Sequence, residues 1–162
     1  MANYSDIPPY ARVWIYQSTR SLSERETRQI RKEFKELFTN WNKKVKDLPA
    51  FVKIYYDLFV VLMLDEDMAE NKKIKVEESL DLLHKFEKEM GLNLFDRLSI
   101  AYRDKQNDIQ IADHQTFKEM LESGAVNQNT IVFNNLVASK EKFETEWETP
   151  FEKSLLVEMI GE

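Results

Sequence analysis

The sequence predicts a single-domain α+β fold, and three observations carry that expectation. Strand-like and helix-like apolar spacings alternate in the order strand, helix, strand, strand, helix, strand over residues 11 to 104. The chain has 162 residues, enough for one domain with a sizeable core. Hydrophobic residues make up 43% and aromatic residues 12%, so the chain can fold without disulfides or metal and is unlike a disordered segment.

The first element is Ala11-Arg-Val-Trp-Ile-Tyr-Gln17, which follows the Pro8-Pro9 breaker and is rich in β-branched and aromatic residues, hence a strand. Ser21-Leu-Ser-Glu24 has the form of a capping box. Ile30, Phe34, Leu37, Phe38, Trp41 and Val45 then trace one apolar stripe on a helix of about seven turns at 3.6 residues each. Arg28, Lys32, Lys35, Glu36 and Lys43 occupy its other face, and the helix is expected to stop before Pro49.

Phe51 to Tyr56 and Phe59 to Leu64 form two strands joined by a tight hairpin around Asp57-Leu58. The second of them is apolar on both faces, which predicts a central strand covered on both sides. Asp65 to Lys75 is polar and expected to be a loop. Val76, Leu80, Leu83, Phe86 and Met90 mark a second amphipathic helix, ended by Gly91. Leu98 to Arg103 is a fourth strand. The order predicts a split βαβ, ferredoxin-like start over residues 11 to 104, with both helices on one sheet face.

Residues 105 to 162 are read as an extension packed on that core. Ile109 to Ile111 is a short strand, and Asp113 caps a helix through Phe117 and Leu121 that Gly124 ends. Thr130 to Val137 reads as a strand. Lys140 to Trp147 reads as a helix, with Phe143 and Trp147 an i, i+4 pair. The total is about four to six strands and about three or four helices.

Alternation places Val13 and Ile15 on one sheet face and Arg12, Trp14 and Tyr16 on the other. With Val13 and Ile15 turned to the helices, Arg12, Trp14 and Tyr16, joined by Lys53 and Tyr55, face the C-terminal extension or a second subunit. Phe133, Phe143, Trp147 and Phe151 supply the apolar cover.

What the chain lacks excludes most catalytic templates. It has no cysteine, two histidines and three glycines, Gly91, Gly124 and Gly161, which are too far apart for a P-loop, a dinucleotide fingerprint or a nucleophile elbow. Without cysteine there is no thiol nucleophile, thiolate zinc site or disulfide, and His84 and His114 cannot form a helical zinc motif. The acidic run Asp65-Glu66-Asp67 with Glu70 has no calcium-loop spacing and reads as a solvated loop. No metal and no cofactor are expected. The net charge is −6 with both signs interspersed, the wrong sign for a nucleic-acid footprint. Met1 to Tyr10 has no signal-peptide pattern, and Leu58 to Leu64 is too short an apolar run to span a bilayer, so the reading is cytoplasmic with no membrane insertion.

Asn134-Asn135 is the sharpest local anomaly, two amides in an apolar run. If the protein is an interaction or ligand-binding module, the contact residues read from the sequence are Arg12, Trp14, Tyr16, Asn134, Asn135 and Trp147. The tryptophans would be anchors, Arg12 a fixed positive fork and the asparagines adaptable hydrogen-bonding groups. The partner would be a protein, itself or another, or a small molecule. The alternative is a small enzyme working through His114 or the Asp65 to Asp67 carboxylates beside Arg12 or Asn134.

Ala11-Arg-Val-Trp-Ile-Tyr-Gln17, Leu94-Phe-Asp-Arg97 and Thr130-Ile-Val-Phe-Asn-Asn-Leu-Val137 with Trp147-Glu-Thr-Pro150 resemble an uncharacterised family of short bacterial proteins, mainly from the Bacteroidetes group and commonly labelled "ABC transporter ATPase". The resemblance runs over about residues 10 to 154 and implies one shared compact domain. The label implies transporter-associated work, but ATP hydrolysis of that class needs a P-loop that this chain cannot form. Members of the family carry Gly-Cys-Ser before the second helix, where this chain has Asn71-Lys-Lys-Ile-Lys-Val76, and a Trp with a basic tail where it has Leu155-Leu-Val-Glu-Met-Ile160. Any activity that used that cysteine would be absent.

Overall fold

Phe59–Leu64 forms a strand in which all six residues are buried, and the fold is built outward from its two faces. The computed structural model describes residues 1–70 and 74–160. Residues 71–73, part of the expected 65–75 loop and of the stretch that departs from the bacterial family, lie outside the described residues, as does Gly161. The elements in chain order are β1 (Arg12–Gln17), α1 (Glu24–Lys44), β2 (Ala50–Tyr55), β3 (Phe59–Leu64), α2 (Glu66–Glu70), α3 (Glu77–Met90), β4 (Ser99–Arg103), β5 (Ile109–Asp113), α4 (His114–Ser123), β6 (Ile131–Phe133), α5 (Lys140–Glu146), β7 (Glu148–Pro150) and α6 (Leu156–Ile160). The chain is an α+β single domain, as the sequence predicts. Among the described residues, the seven strands and six helices exceed the expected number because α2, α6 and β7 are too short to show a period.

The first sheet is antiparallel with order β1-β3-β2, so α1 carries the chain across β3. A ferredoxin-like sheet would add β4 beside β1, and here the expectation is corrected: β4 belongs to a second antiparallel sheet, β5-β4-β6-β7. The outer edge of β1 is already taken. Val13 N–H donates to the Ala138 carbonyl at 2.9 Å, and Lys140 N–H donates to the Ala11 carbonyl at 3.0 Å.

The face assignment of β1 is also corrected. Trp14 and Tyr16 pack on the helix side with Phe34, Phe38, Leu83 and Phe86, while Val13 and Ile15 face the second sheet with Phe133, Phe143 and Trp147. By register, Lys53 and Tyr55 share the Val13–Ile15 face and not that of Arg12. Alternation separates two sets, but it cannot say which one meets the helices when both are apolar.

The second sheet repeats the two-sided pattern. Ala101, Ile109, Ile111 and Phe133 meet the first sheet, while Ile100, Tyr102, Ala112 and Val132 meet Phe117 of α4 and Leu156 and Ile160 of α6. The result is four layers: α1 with α3, first sheet, second sheet, α4 with α6. The C-terminal residues therefore do cover a face of the first sheet, on the side opposite to the one expected.

Local signals set the element ends. The α1 capping box lies two residues later than expected: Ser23 Oγ accepts from Glu26 N–H at 3.1 Å, and Ser23 N–H donates to Glu26 Oε1 at 2.9 Å. Gly91 (φ 64°) ends α3 and Gly124 (φ 82°) ends α4, both in the left-handed region that glycine adopts without strain. Asp113 caps α4 by accepting from Thr116 N–H at 2.7 Å. Asp65 starts the unexpected α2 by accepting from Met68 N–H at 3.3 Å. The strand expected over 130–137 ends at Phe133, because Asn134 N–H turns to the Trp147 carbonyl at 2.7 Å.

Arg20 clasps the helix layer. Its guanidinium takes Glu26 in a two-point pair at 2.9 and 2.7 Å and donates to the Met90 carbonyl, at the end of α3, at 2.8 Å. The Arg20 bond, followed by the Ser23 backbone bond, holds the Glu26 carboxyl down at about 2, against an ordinary 4.5.

Two measurements check this account. Phe59→Ala is expected to cost about 3–5 kcal/mol in urea denaturation, since it empties a fully buried site between the sheets, while Leu155→Ala, half exposed, stays within about 0.5 kcal/mol. A folded-state pKa below the unfolded one stabilises the native state above the unfolded pKa. The Glu26 contribution is therefore complete above about pH 4.5 and is lost as pH falls toward about 2. Glu26→Gln is expected to flatten stability against pH across that window.

Candidate functional site

The β2–β3 hairpin turns through Tyr56, Asp57 and Leu58 and holds Tyr56 at φ 56° and Asp57 at φ 53°, the positive values of the two central residues of a primed β-turn. A tyrosine in this region costs on the order of 1–2 kcal/mol. Its ring recovers that cost through contacts. It stacks on Trp147 (centroids 6.0 Å, planes 26°) and meets Phe133 edge-on at 5.9 Å. Its hydroxyl donates to Glu148 Oε2 at 2.7 Å. Arg103 lies 5.1 Å over the ring and donates through Nε to Glu148 Oε1 at 2.7 Å. Burial first, then the bond to Glu148, pushes the Tyr56 hydroxyl above its ordinary value, so it stays a donor near neutrality.

A second tyrosine–glutamate pair stands opposite. Tyr4 OH donates to Glu144 Oε2 at 2.9 Å, and the Tyr4 ring meets Phe51 edge-on at 5.5 Å. Burial, then Glu144, raises this hydroxyl far above the ordinary tyrosine range. The N-terminal segment is held there by Lys140, a buried lysine whose Nζ donates to the Tyr4 and Ile7 carbonyls at 3.0 and 2.8 Å and sits 4.2 Å over the Tyr4 ring.

Between the pairs lies an open cleft of about 680 Å³. Tyr55 forms one wall, edge-on to Phe143 at 5.4 Å and Trp147 at 5.5 Å, with Lys53 Nζ 4.8 Å from its ring centre. Phe143 and Trp147 stack at 4.7 Å. The spacing of four stacks Phe143 of α5 on Trp147, the residue that caps the helix, and Glu148 then begins β7.

The residues singled out from sequence do not form one surface. Arg12, Trp14 and Tyr16 point to the helix layer: Arg12 lies 5.3 Å over the Trp14 ring, and Tyr16 meets Phe95 at 5.4 Å. Asn134, Asn135 and Trp147 do come together, but their polar groups bond inward. Trp147 Nε1 donates to Asn135 Oδ1 at 3.0 Å, Asn135 Nδ2 to Gln17 Oε1 at 2.9 Å, and Gln17 Nε2 to the Ser99 carbonyl at 3.4 Å. This relay joins β1, the start of β4 and the turn after β6. Of the six, only Trp147 lines the cleft. The sequence reading places Lys53 and Tyr55 beside Arg12 on a sheet face but not among the contact residues, and it does not single out Tyr4, Tyr56, Glu144 or Glu148. The signal available for them was the repeated aromatic–acid pair, Phe143-Glu144 and Trp147-Glu148, at helical spacing.

The groups named for the acid–base alternative have separate partners among the described residues. Asp65 accepts the Tyr10 hydroxyl at 3.0 Å and caps α2, while His114 opens α4 with its backbone N–H on the Leu98 carbonyl at 2.9 Å. His84 stacks on Phe95 at 4.4 Å and faces Glu87. Among the described residues no group of three or more His, Asp or Glu side chains is placed to hold a metal ion, and no helix is long and apolar enough to cross a membrane.

Compared with known proteins, the chain matches no family model, no curated protein and no solved structure.

Asn135→Ala leaves both the Trp147 N–H and the Gln17 amide without their partner, and is expected to cost about 2 kcal/mol in urea denaturation. Asn134→Ala removes only a long bond to Leu136 N–H at 3.4 Å and is expected to cost about 0.5 kcal/mol. Equal losses at the two positions would mean that the relay does not carry the difference.

Proposed function

We propose that this protein is a non-enzymatic binding module and that the cleft between Tyr4, Tyr55 and Tyr56 is its binding site. One observation carries the reading: the strained Tyr56 and the internally tied Tyr4 hold ring surface at the rim of an open cavity, where packing alone would bury it. The polar groups there are tied to one another or lie at the mouth, and the two tyrosine hydroxyls, raised above their ordinary value by burial and by the glutamates they donate to, stay protonated. A cytoplasmic location and association with itself or another protein belong to the same reading, and the cysteine-free composition supports a reducing compartment. The bacterial family that the sequence resembles is compatible with this role once ATP hydrolysis is set aside.

A fragment screen followed by ¹H–¹⁵N NMR tests it. Hits are expected to shift the amides of Lys53, Tyr55, Tyr56 and Glu144 together. Hits confined to other surfaces would overturn the assignment. Millimolar Mg²⁺·ATP is expected to leave the melting temperature unchanged, since a ligand stabilises only what it binds.

A further inference from the structure

We infer that the cleft selects an organic ammonium ion, above all an alkylated one such as a quaternary or methylated amine. This rests on the cleft being a binding site and adds the class of its ligand.

The chemistry of the walls is the first argument. The ring faces of this region already attract cations: Lys140 Nζ lies 4.2 Å from the Tyr4 centre, Lys53 Nζ 4.8 Å from Tyr55 and Arg103 Cζ 5.1 Å from Tyr56. Two of these tyrosines donate their hydroxyls to carboxylates. That bond moves electron density into the ring and strengthens the negative potential above its face. Alkylated ammonium ions are the cations best suited to such walls, because they lose little hydration on entering and require no hydrogen-bond acceptor.

The bonding of the charged groups at the mouth is the second. Glu148 has both oxygens engaged, by Arg103 and Tyr56. Glu144 lines the cleft and uses only Oε2, for Tyr4, so among the described residues its other oxygen has no hydrogen-bond partner and is available to a ligand's charge. Lys53 is exposed and has no carboxylate partner among the described residues; its charge rests on Tyr55. Lys53 is thus a tethered occupant of the place an outside ammonium would take, and an incoming cation displaces it into solvent. An anion would instead need Lys53 and would be repelled by Glu144.

Because the two cases assign Lys53 opposite roles, one substitution separates them. The probe is choline, titrated by ¹H–¹⁵N NMR against its uncharged carbon isostere 3,3-dimethylbutanol. Choline is expected to give saturable shifts at Tyr55, Tyr56 and Glu144, and the isostere none at the same concentration. Lys53→Ala removes the competitor and is expected to tighten choline about threefold, while Glu144→Gln weakens it by a similar factor. Both side chains are exposed, so both variants should keep the wild-type spectrum elsewhere. Tyr55→Phe, which keeps the ring, should bind as wild type, and Tyr55→Leu should not. A trimethyl-lysine peptide that binds more tightly than choline would place the ammonium on a polypeptide, whereas equal affinity would indicate a free small molecule. Equal binding of choline and its isostere, or weaker binding in Lys53→Ala, would overturn the ammonium assignment while leaving the cleft a binding site. If choline gives no shift while neutral fragments still map to the cleft, the ammonium assignment alone is overturned. If no ligand maps there, both readings are.

Discussion

β3 has no polar side chain, and both of its faces therefore have to be kept from water. Burial of each such side chain is worth roughly 1.5–3 kcal/mol, so baring the three on one face would cost an amount comparable to a domain's whole margin of stability. One layer of helices can satisfy only one face. The other needs a second apolar surface, and the chain supplies it by folding residues 99–150 into a sheet of their own. Diverting β4 out of the first sheet is part of this solution. Had β4 extended that sheet beside β1, the Val61–Met63 side would have lost its cover.

Apolar contact between two sheets does not fix their relative position. That task falls to directional bonds at the margins. The run from Trp147 through Asn135 and Gln17 to Ser99 crosses from one sheet to the other on amides and an indole, and Arg103 with Glu148 and Tyr56 does the same from the hairpin. The paired asparagines in an apolar run stand at these junctions, and so does Tyr56, which the sequence reads as the end of a strand and the structure places in the turn. The same junctions set the distance between α5 and the hairpin, and so the width of the cleft.

Much of the fold could be read from residue types because single-element patterns are local. The stripe from Ile30 to Val45, the two-sided Phe59–Leu64 run, Gly91, Asp113 with Gly124, and the Phe143–Trp147 pair each report their own element. What could not be read depends on residues far apart in sequence. Whether Trp14 or Val13 meets the helices is decided by partners such as Phe34 and Phe133, and both sets are apolar. That Asn134 ends a strand is decided by the Trp147 carbonyl. The site was harder still. Tyr4 reaches Glu144 across 140 positions and Tyr56 reaches Glu148 across 92, so no window of sequence contains both partners. The aromatics of β1, Trp14 and Tyr16, were the more visible candidates, and they belong to the helix layer.

The buried amine of Lys140 has a use beyond holding the first residues in place. Acylating reagents modify lysines at a rate set by solvent access, and this amine is shielded by the carbonyls of Tyr4 and Ile7. It becomes reactive only in the fraction of time that the amino-terminal segment lifts away. The labelling rate of that one lysine, compared with those on the surface of α1, is therefore a clock for local opening at the cleft wall, readable by peptide mass spectrometry without any engineered probe.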